Sequence, residues 1–282
     1  MFGRRESQVR PIFDFTSYLF DLDGTIYVGG KALPGAVDTI QTLRDRDKKI
    51  MFATNTTVYT REEVRDKLIQ LGIECERDEI VTALSVAGMY FRHYAPGAKV
   101  LLIGSDAMTE EMKFSEVDTT DDPMLATHVL VGLDRRFDFE KLTVGMNAVR
   151  SGALLIAANP DPFCPLETGV IPDTWALVRA IETASMLQTH DIIGKPSRYY
   201  ASYVLHQLDC RPEECLMVGD RLETDVELGN STGMYTALVL SGADSKESIV
   251  RTGIEPDYVW ASIGVIAEEA RLQPSSKVKE QI

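Results

Sequence analysis

Asp21 and Asp23 stand two residues apart in the stretch FDLDGTIYVGG, residues 20–30, at the end of an apolar run. Two carboxylates so close repel, and each raises the other's pKa unless a cation or a proton intervenes. The pair therefore fits a metal site, a shared proton or, because Asp and Gly are ordinary turn residues, a solvated turn after a strand. Other polar residues along the chain separate these readings.

Three further stretches could do chemistry. Thr54 closes the run KIMFAT with Asn55 after it, Gly194 closes DIIG with Lys195-Pro196 after it, and Gly219-Asp220 closes CLMVGD with Asp225 five residues on. Taken singly, each has a commonplace reading as a helix cap, a loop with a solvated lysine, or an acid favourable to a helix start. All of them, like Asp21, end β-rich apolar runs, and in parallel α/β sheets ligands gather at the carboxyl ends of the strands. Jointly they bring a hydroxyl, a lysine and several carboxylates to one crevice, which turn chemistry does not account for.

The elements that must position these residues alternate between β-rich and helical patterns. Strands are predicted at 17–22, 49–54, 191–194, 215–220, 234–240 and 258–261, with helices near 35–47, 61–71, 197–208 and 223–230, and a final helix. This is the pattern of βαβ units on a doubly wound parallel sheet. A second alternating set intervenes, with strands at 98–104, 127–133 and 153–160 and helices near 106–114, 138–150 and 173–188. It has enough apolar strand and helix for a small α/β layer of its own. The expected division is a core domain in two parts, residues 1–95 and 190–282, with an inserted α/β domain at 96–189. The tail SSKVKEQI is predicted to fray.

Composition narrows the function classes. The 282 residues are 44% hydrophobic, enough for one large domain or two ordinary ones. A formal net charge of −14, from 43 acidic against 29 basic residues, repels a nucleic-acid backbone. No apolar window reaches signal-peptide or membrane-span length, so a soluble, cytoplasmic protein without a membrane partner is expected. The cysteines Cys75, Cys164, Cys210 and Cys215 lack CxxC spacing and are expected as reduced, mostly buried thiols. His93, His128, His190 and His206 are too scattered for a His-based zinc site or a catalytic triad. The chemistry falls to the carboxylates.

In order, DLDGT, TN, GKPS and VGDRLETD resemble the four motifs of the haloacid dehalogenase-like phosphohydrolase superfamily, over nearly the whole chain. The insert, with LVGLDRRFDFEKL and NPDPFCPLETG, is similar to the α/β cap of subfamily IIA, the NagD-like and p-nitrophenyl-phosphatase-like enzymes. The resemblance implies a Rossmann-like core with a C2-type cap and a Mg²⁺-dependent phosphatase acting on small phosphate monoesters, whether sugar, nucleotide or aryl. Asp21 would be the nucleophile, forming an aspartyl phosphate. Asp23 would be the general acid and base, with its backbone carbonyl also a metal ligand. Asp21 and Asp220 would ligate Mg²⁺ through carboxylates, and Asp225 would support the ion directly or through its ligands. Gly24, Thr54, Asn55 and Lys195 would bind the phosphoryl group, with Lys195 offsetting charge in the transition state.

On the cap, the resemblance places Asp161, Phe163 and Cys164 in a loop that approaches the substrate and sets specificity. Gly132-Leu133-Asp134 is a weaker candidate. It also implies a homodimer joined through the cap. The second motif reads Thr54-Asn55-Thr56 where many relatives carry a second asparagine, so specificity cannot be copied from them. Alternatives are a regulator that only binds a phosphorylated ligand, a phosphotransferase, or a dehalogenase. The last needs no metal, which Asp23, Asp220 and Asp225 argue against. A regulator would be expected to have lost Asp21, Asp23 or Lys195, and none is lost.

Overall fold

The apolar run before Asp21 folds as the strand Ser17–Phe20, with every residue buried, as does the strand Cys215–Gly219 that leads to Asp220. Strands buried on both faces are those of a parallel sheet covered by helices on each side. The computed structural model describes residues 10–165 and 169–272. The tail expected to fray and part of the LETG end of the cap loop lie outside them. The chain forms two compact units: residues up to 53, 65–80 and from 204 onward make the first, and 54–64 with 81–203 the second.

A six-stranded sheet, all but Thr54, Val81 and Thr82 of it in the first unit, runs in the order Tyr258–Trp260, Tyr235–Val239, Cys215–Gly219, Ser17–Phe20, Lys49–Thr54, Ile80–Thr82. Ser17 pairs in parallel register with Cys215 on one side and with Lys49 on the other. Numbered along the chain, the strands run 6-5-4-1-2-3, so the order reverses between Ser17–Phe20 and Cys215–Gly219. A crevice opens at such a switch point, outside the carboxyl ends. Asp21 and Asp220 are the next residues on those two strands. After Asp21 the chain turns sharply, with the N–H groups of Thr25, Ile26 and Tyr27 all donating to Leu22 O, and enters a small hairpin of Tyr27–Val28 and Lys31–Ala32 across Gly29-Gly30.

The second unit carries a five-stranded sheet in the order Asp191–Ile192, Leu154–Ala157, His128–Val131, Lys99–Ile103, Asp118–Thr119, with parallel pairs throughout. Leu101, Ile103, Val129, Val131, Leu155 and Ala157 pack against Leu177, Val178 and Ile181 of the helix Thr174–Ser185. A two-stranded antiparallel ribbon joins Phe163–Pro165 to Val170–Pro172.

One strand differs from expectation. Residues 191–194 read as a strand of the outer sheet, whereas Asp191–Ile192 pairs with Ile156 and Ala157 in the five-stranded sheet. The apolar pattern marks a strand but not its partner, and two paired residues leave no register signal to read. The strand Ile80–Thr82 and the helix Ala83–His93, which Thr82 caps by accepting from Ser85 N, were not anticipated. Among the described residues no helix is long and apolar enough to cross a membrane.

Candidate active site

In the first unit, Asp21, Asp220 and Asp225 each offer a carboxylate oxygen, and the three oxygens lie within 4.8 Å of one another. Their residues are 8%, 3% and 1% exposed. Asp21 follows its strand with its N–H donating to Val218 O (2.9 Å), which ties it to the neighbouring strand. Asp225 sits in a π-helical turn, Leu222–Val226, ahead of the helix Glu227–Thr232. Its Oδ2 accepts from Arg221 N (3.1 Å).

Asp220 is held by the loop that follows the strand Tyr235–Val239. Ala243 N–H donates to Asp220 Oδ2 (2.6 Å), and Asp244 Oδ2 accepts from Leu222 N (2.8 Å). Gly24 completes the cradle at φ +84°, a backbone conformation natural to glycine. Three buried carboxylates this close carry a charge that folding tolerates poorly without a compensating cation. An all-oxygen donor set suits a hard divalent ion such as Mg²⁺.

Asp23 stands apart from the cluster. It is exposed, its Oδ2 accepts from Tyr27 OH (3.4 Å), and it forms a backbone bridge with Tyr27. The two acids of the opening motif thus occupy different environments: Asp21 is buried among carboxylates and Asp23 faces solvent.

Within the second unit, Thr54 closes the strand Lys49–Thr54. It is buried, and its Oγ1 accepts from Thr56 N (3.1 Å) while Tyr200 OH donates to its carbonyl (3.2 Å). Lys195 is 2% exposed, and the Lys195–Pro196 peptide is cis. Asn55 connects the two regions. Its Nδ2 donates to Lys195 O (3.1 Å) and to Asp161 Oδ2 (3.0 Å), and its Oδ1 accepts from Lys195 N (2.8 Å). Asn159, 1% exposed, donates from Nδ2 to Asn55 O (2.8 Å) and accepts Asp161 N–H at Oδ1 (3.0 Å).

The sequence-predicted specificity residues separate. Asp161 belongs to this network, whereas Phe163 and Cys164 lie on the antiparallel ribbon, Phe163 being 47% exposed. Asp134, the weaker candidate, is buried in an ion pair with Lys141 (2.5 Å) and accepts from Arg136 N, which is structural work.

Sequence reasoning placed Asn159 on the cap loop without a role, and missed Tyr200 and the Ser241–Asp244 loop. The loop carried a legible signal, because Ser-Gly-Ala-Asp directly follows the strand run MYTALVL, at the same carboxyl edge as Asp21 and Asp220.

The family model for haloacid dehalogenase-like hydrolases matches residues 18–118, and a second HAD-hydrolase-like model matches 192–266. The sugar phosphatase AraL of Bacillus subtilis is 33% identical over 87% of this chain and 89% of its own length. The chain belongs to the haloacid dehalogenase-like hydrolase family. An acid sugar phosphatase of Staphylococcus saprophyticus is 30% identical over 91% of this chain and 98% of that protein. Among solved structures, p-nitrophenyl phosphatase from Archaeoglobus fulgidus superimposes with a TM-score of 0.86 at 30% identity, covering 91% of this chain and 99% of that one. NagD from Escherichia coli K-12 gives 0.81 at 25% identity over 89% and 97%. This haloacid dehalogenase-like hydrolase therefore lies in the NagD-like branch that its motifs resemble, and the Asp21, Asp220 and Asp225 cluster sits where a doubly wound sheet opens its ligand crevice.

Proposed function

We propose that this phosphoric monoester hydrolase removes phosphate from small phosphorylated sugars, using Mg²⁺ and an aspartyl-phosphate intermediate. The observation that carries the reading is the buried triad of Asp21, Asp220 and Asp225 at the switch point. The sugar-phosphatase names of the relatives support the substrate class. Asp21, Asp220 and Asp225 would hold the metal, with the Asp23 carbonyl as a further oxygen. When bound, the ion supplies positive charge that offsets the clustered carboxylates and a phosphate oxygen.

The chain's own residues then do the following. An Asp21 carboxylate oxygen attacks phosphorus, the bond from phosphorus to the ester oxygen breaks, and that oxygen takes a proton from Asp23. Asp23, now ionised, removes a proton from water; the water oxygen attacks phosphorus, the bond to Asp21 breaks, and inorganic phosphate leaves. Thr54, the main chain at Gly24 and Asn55, and Lys195 hold phosphoryl oxygens, Lys195 as a point charge. Residues 96–189 serve as the cap that selects the leaving group, with Asp161, Phe163 and Cys164 as its reading surface. A cytoplasmic enzyme that pairs through its caps belongs to the same reading, on the strength of the resemblance.

The test is phosphate release from hexose and pentose phosphates, nucleoside monophosphates and p-nitrophenyl phosphate, with Mg²⁺ or with EDTA, for the wild type and Asp21→Asn. Release that needs Mg²⁺, favours the sugar phosphates and disappears in Asp21→Asn is expected. Turnover that survives EDTA or Asp21→Asn would remove the metal or the nucleophile from the reading. A preference for nucleotides would remove the sugar.

A further inference from the structure

Asn55 is expected from its motif to hold phosphate through its main-chain N–H, and its side chain is committed elsewhere. An asparagine amide has two N–H donors. Here one serves Asp161 Oδ2 (3.0 Å) and the other Lys195 O (3.1 Å), while Oδ1 accepts Lys195 N–H (2.8 Å). The Asn55 carbonyl takes Asn159 Nδ2 (2.8 Å). For a ligand this leaves the Asn55 main-chain N–H, not the amide.

Gly194 shows independently how tightly these segments are fitted. A Cβ at that position would lie 2.6 Å from Asn55 Oδ1, 2.7 Å from Ala158 O and 3.0 Å from Asn159 Cβ. Gly194 N–H also donates to Ala158 O (2.8 Å). The close approach of residues 55, 158–161 and 194–195 thus depends on glycine at 194.

We propose that Asn55 is a positioning residue that grips the Lys195 peptide at both its N–H and its carbonyl, and that Asp161 locks this grip. The inference rests on the assignment of Lys195 to phosphoryl binding. An amide presents similar shapes when its oxygen and nitrogen are exchanged, but an ionised carboxylate only accepts. Asp161 therefore reinforces the orientation that the Lys195 peptide also requires, with Nδ2 facing both Asp161 Oδ2 and Lys195 O and Oδ1 against Lys195 N–H. Asp161 acts on Lys195 through Asn55, so the cap loop and the lysine form one fitted body. A shift of about 1 Å at a reacting group can cost about a hundredfold in rate.

Two readouts test this on the full-length protein. Amide hydrogen exchange at Lys195 reports the grip without any turnover. Exchange should quicken by about tenfold or more in Asn55→Ala and also in Asp161→Ala, against protection in the wild type. Kinetics with p-nitrophenyl phosphate should show kcat falling about a hundredfold in Asn55→Ala with KM within about threefold. At Lys195 the double variant should exchange no faster than Asn55→Ala alone, because the bond from Asn55 to Asp161 is already lost when the amide is removed.

Asn55→Asp sets two carboxylates face to face. Asp161→Asn in that background restores one donor between them and should recover part of the protection at Lys195 N–H, which a carboxylate at 55 can still accept, but not the bond to Lys195 O. Recovery by a polarity reversal separates positioning from general loosening, and it decides the matter even if Asn55→Ala folds poorly. Unchanged Lys195 exchange in Asn55→Ala, exchange that quickens further in the double variant, or no recovery of Lys195 N–H protection in the reversed pair would each overturn the proposal. An inactive wild type with the exchange pattern intact would count against the phosphatase reading and leave the grip standing.

Discussion

A carboxylate buried beside two others must be held in place against its own repulsion, and at Asp220 the constraint comes from glycine. A Cβ on Gly24 would lie 2.3 Å from Asp220 Oδ2 and 3.0 Å from Gly242 Cα. The φ of +84° adds a backbone penalty for any L side chain. Gly24→Ala is therefore expected to lose on the order of 2 kcal/mol of stability and to push Asp220 off its hydrogen bond from Ala243. Binding at the triad should suffer with it. Thermal unfolding with and without Mg²⁺ checks both effects: the midpoint is expected to fall in the variant, and the rise expected of the wild type in saturating Mg²⁺ to shrink. A variant that melts lower but keeps the full Mg²⁺ response would separate the glycine's structural role from metal binding.

Elements were legible where a buried strand of four or more residues ended in Asp or Gly chemistry, whereas the three-residue buried strand Ile80–Thr82 was not. Ser17–Phe20 with Asp21 and Cys215–Gly219 with Asp220 could be read from apolar runs cut off by Asp and Gly, because a parallel strand is apolar on both faces and changes character only at its edge. Sheet membership was not legible for Asp191–Ile192, whose two paired residues carry no partner signal. Nor could sequence show that the Asn55 amide bonds Lys195 and Asp161, since that depends on residues 106 and 140 positions away. The cysteines mark a similar limit. Cys215 begins the strand that leads to Asp220 and is buried, with its thiol pushed well above the ordinary range by its hydrogen bond to Cys210 and by burial. Cys210 is half-buried and is drawn down to about 7, chiefly by the hydrogen bond from Cys215 and then by Ser17 and the Lys49 charge, against burial. Thiolate is the reactive form, so a lowered pKa means faster alkylation at neutral pH. Iodoacetamide should label Cys210 with a rate that is half-maximal near pH 7, and Cys215→Ala, which removes the donor, should move that midpoint upward. Cys75, pushed up to about 11 by burial first, should stay unlabelled under the same conditions. Mass spectrometry after timed quenching reads all three, and a Cys210 midpoint at the ordinary thiol value would remove the Cys215 contact as its cause.

At the scale of the whole molecule, a net charge of −14 meets substrates that are themselves anions. Two opposing fields act on an approaching phosphate ester. On the proposed reading a cation held by Asp21, Asp220 and Asp225 would attract at contact distance, where salt screens little, while the excess of 43 acidic over 29 basic residues repels over a longer range. The Debye length shrinks from about 30 Å at 10 mM salt to about 8 Å at 150 mM, so added salt removes the long-range repulsion first. With free Mg²⁺ held constant, kcat/KM for a dianionic ester should rise severalfold across that range while kcat stays level, since the bound complex is already inside the short-range field. This is the reverse of a cationic enzyme, in which salt weakens steering toward an anion. A kcat/KM that falls with salt would mean that the local positive potential at the crevice extends past the molecule's own acidic surface, and that substrate capture is governed by the site alone.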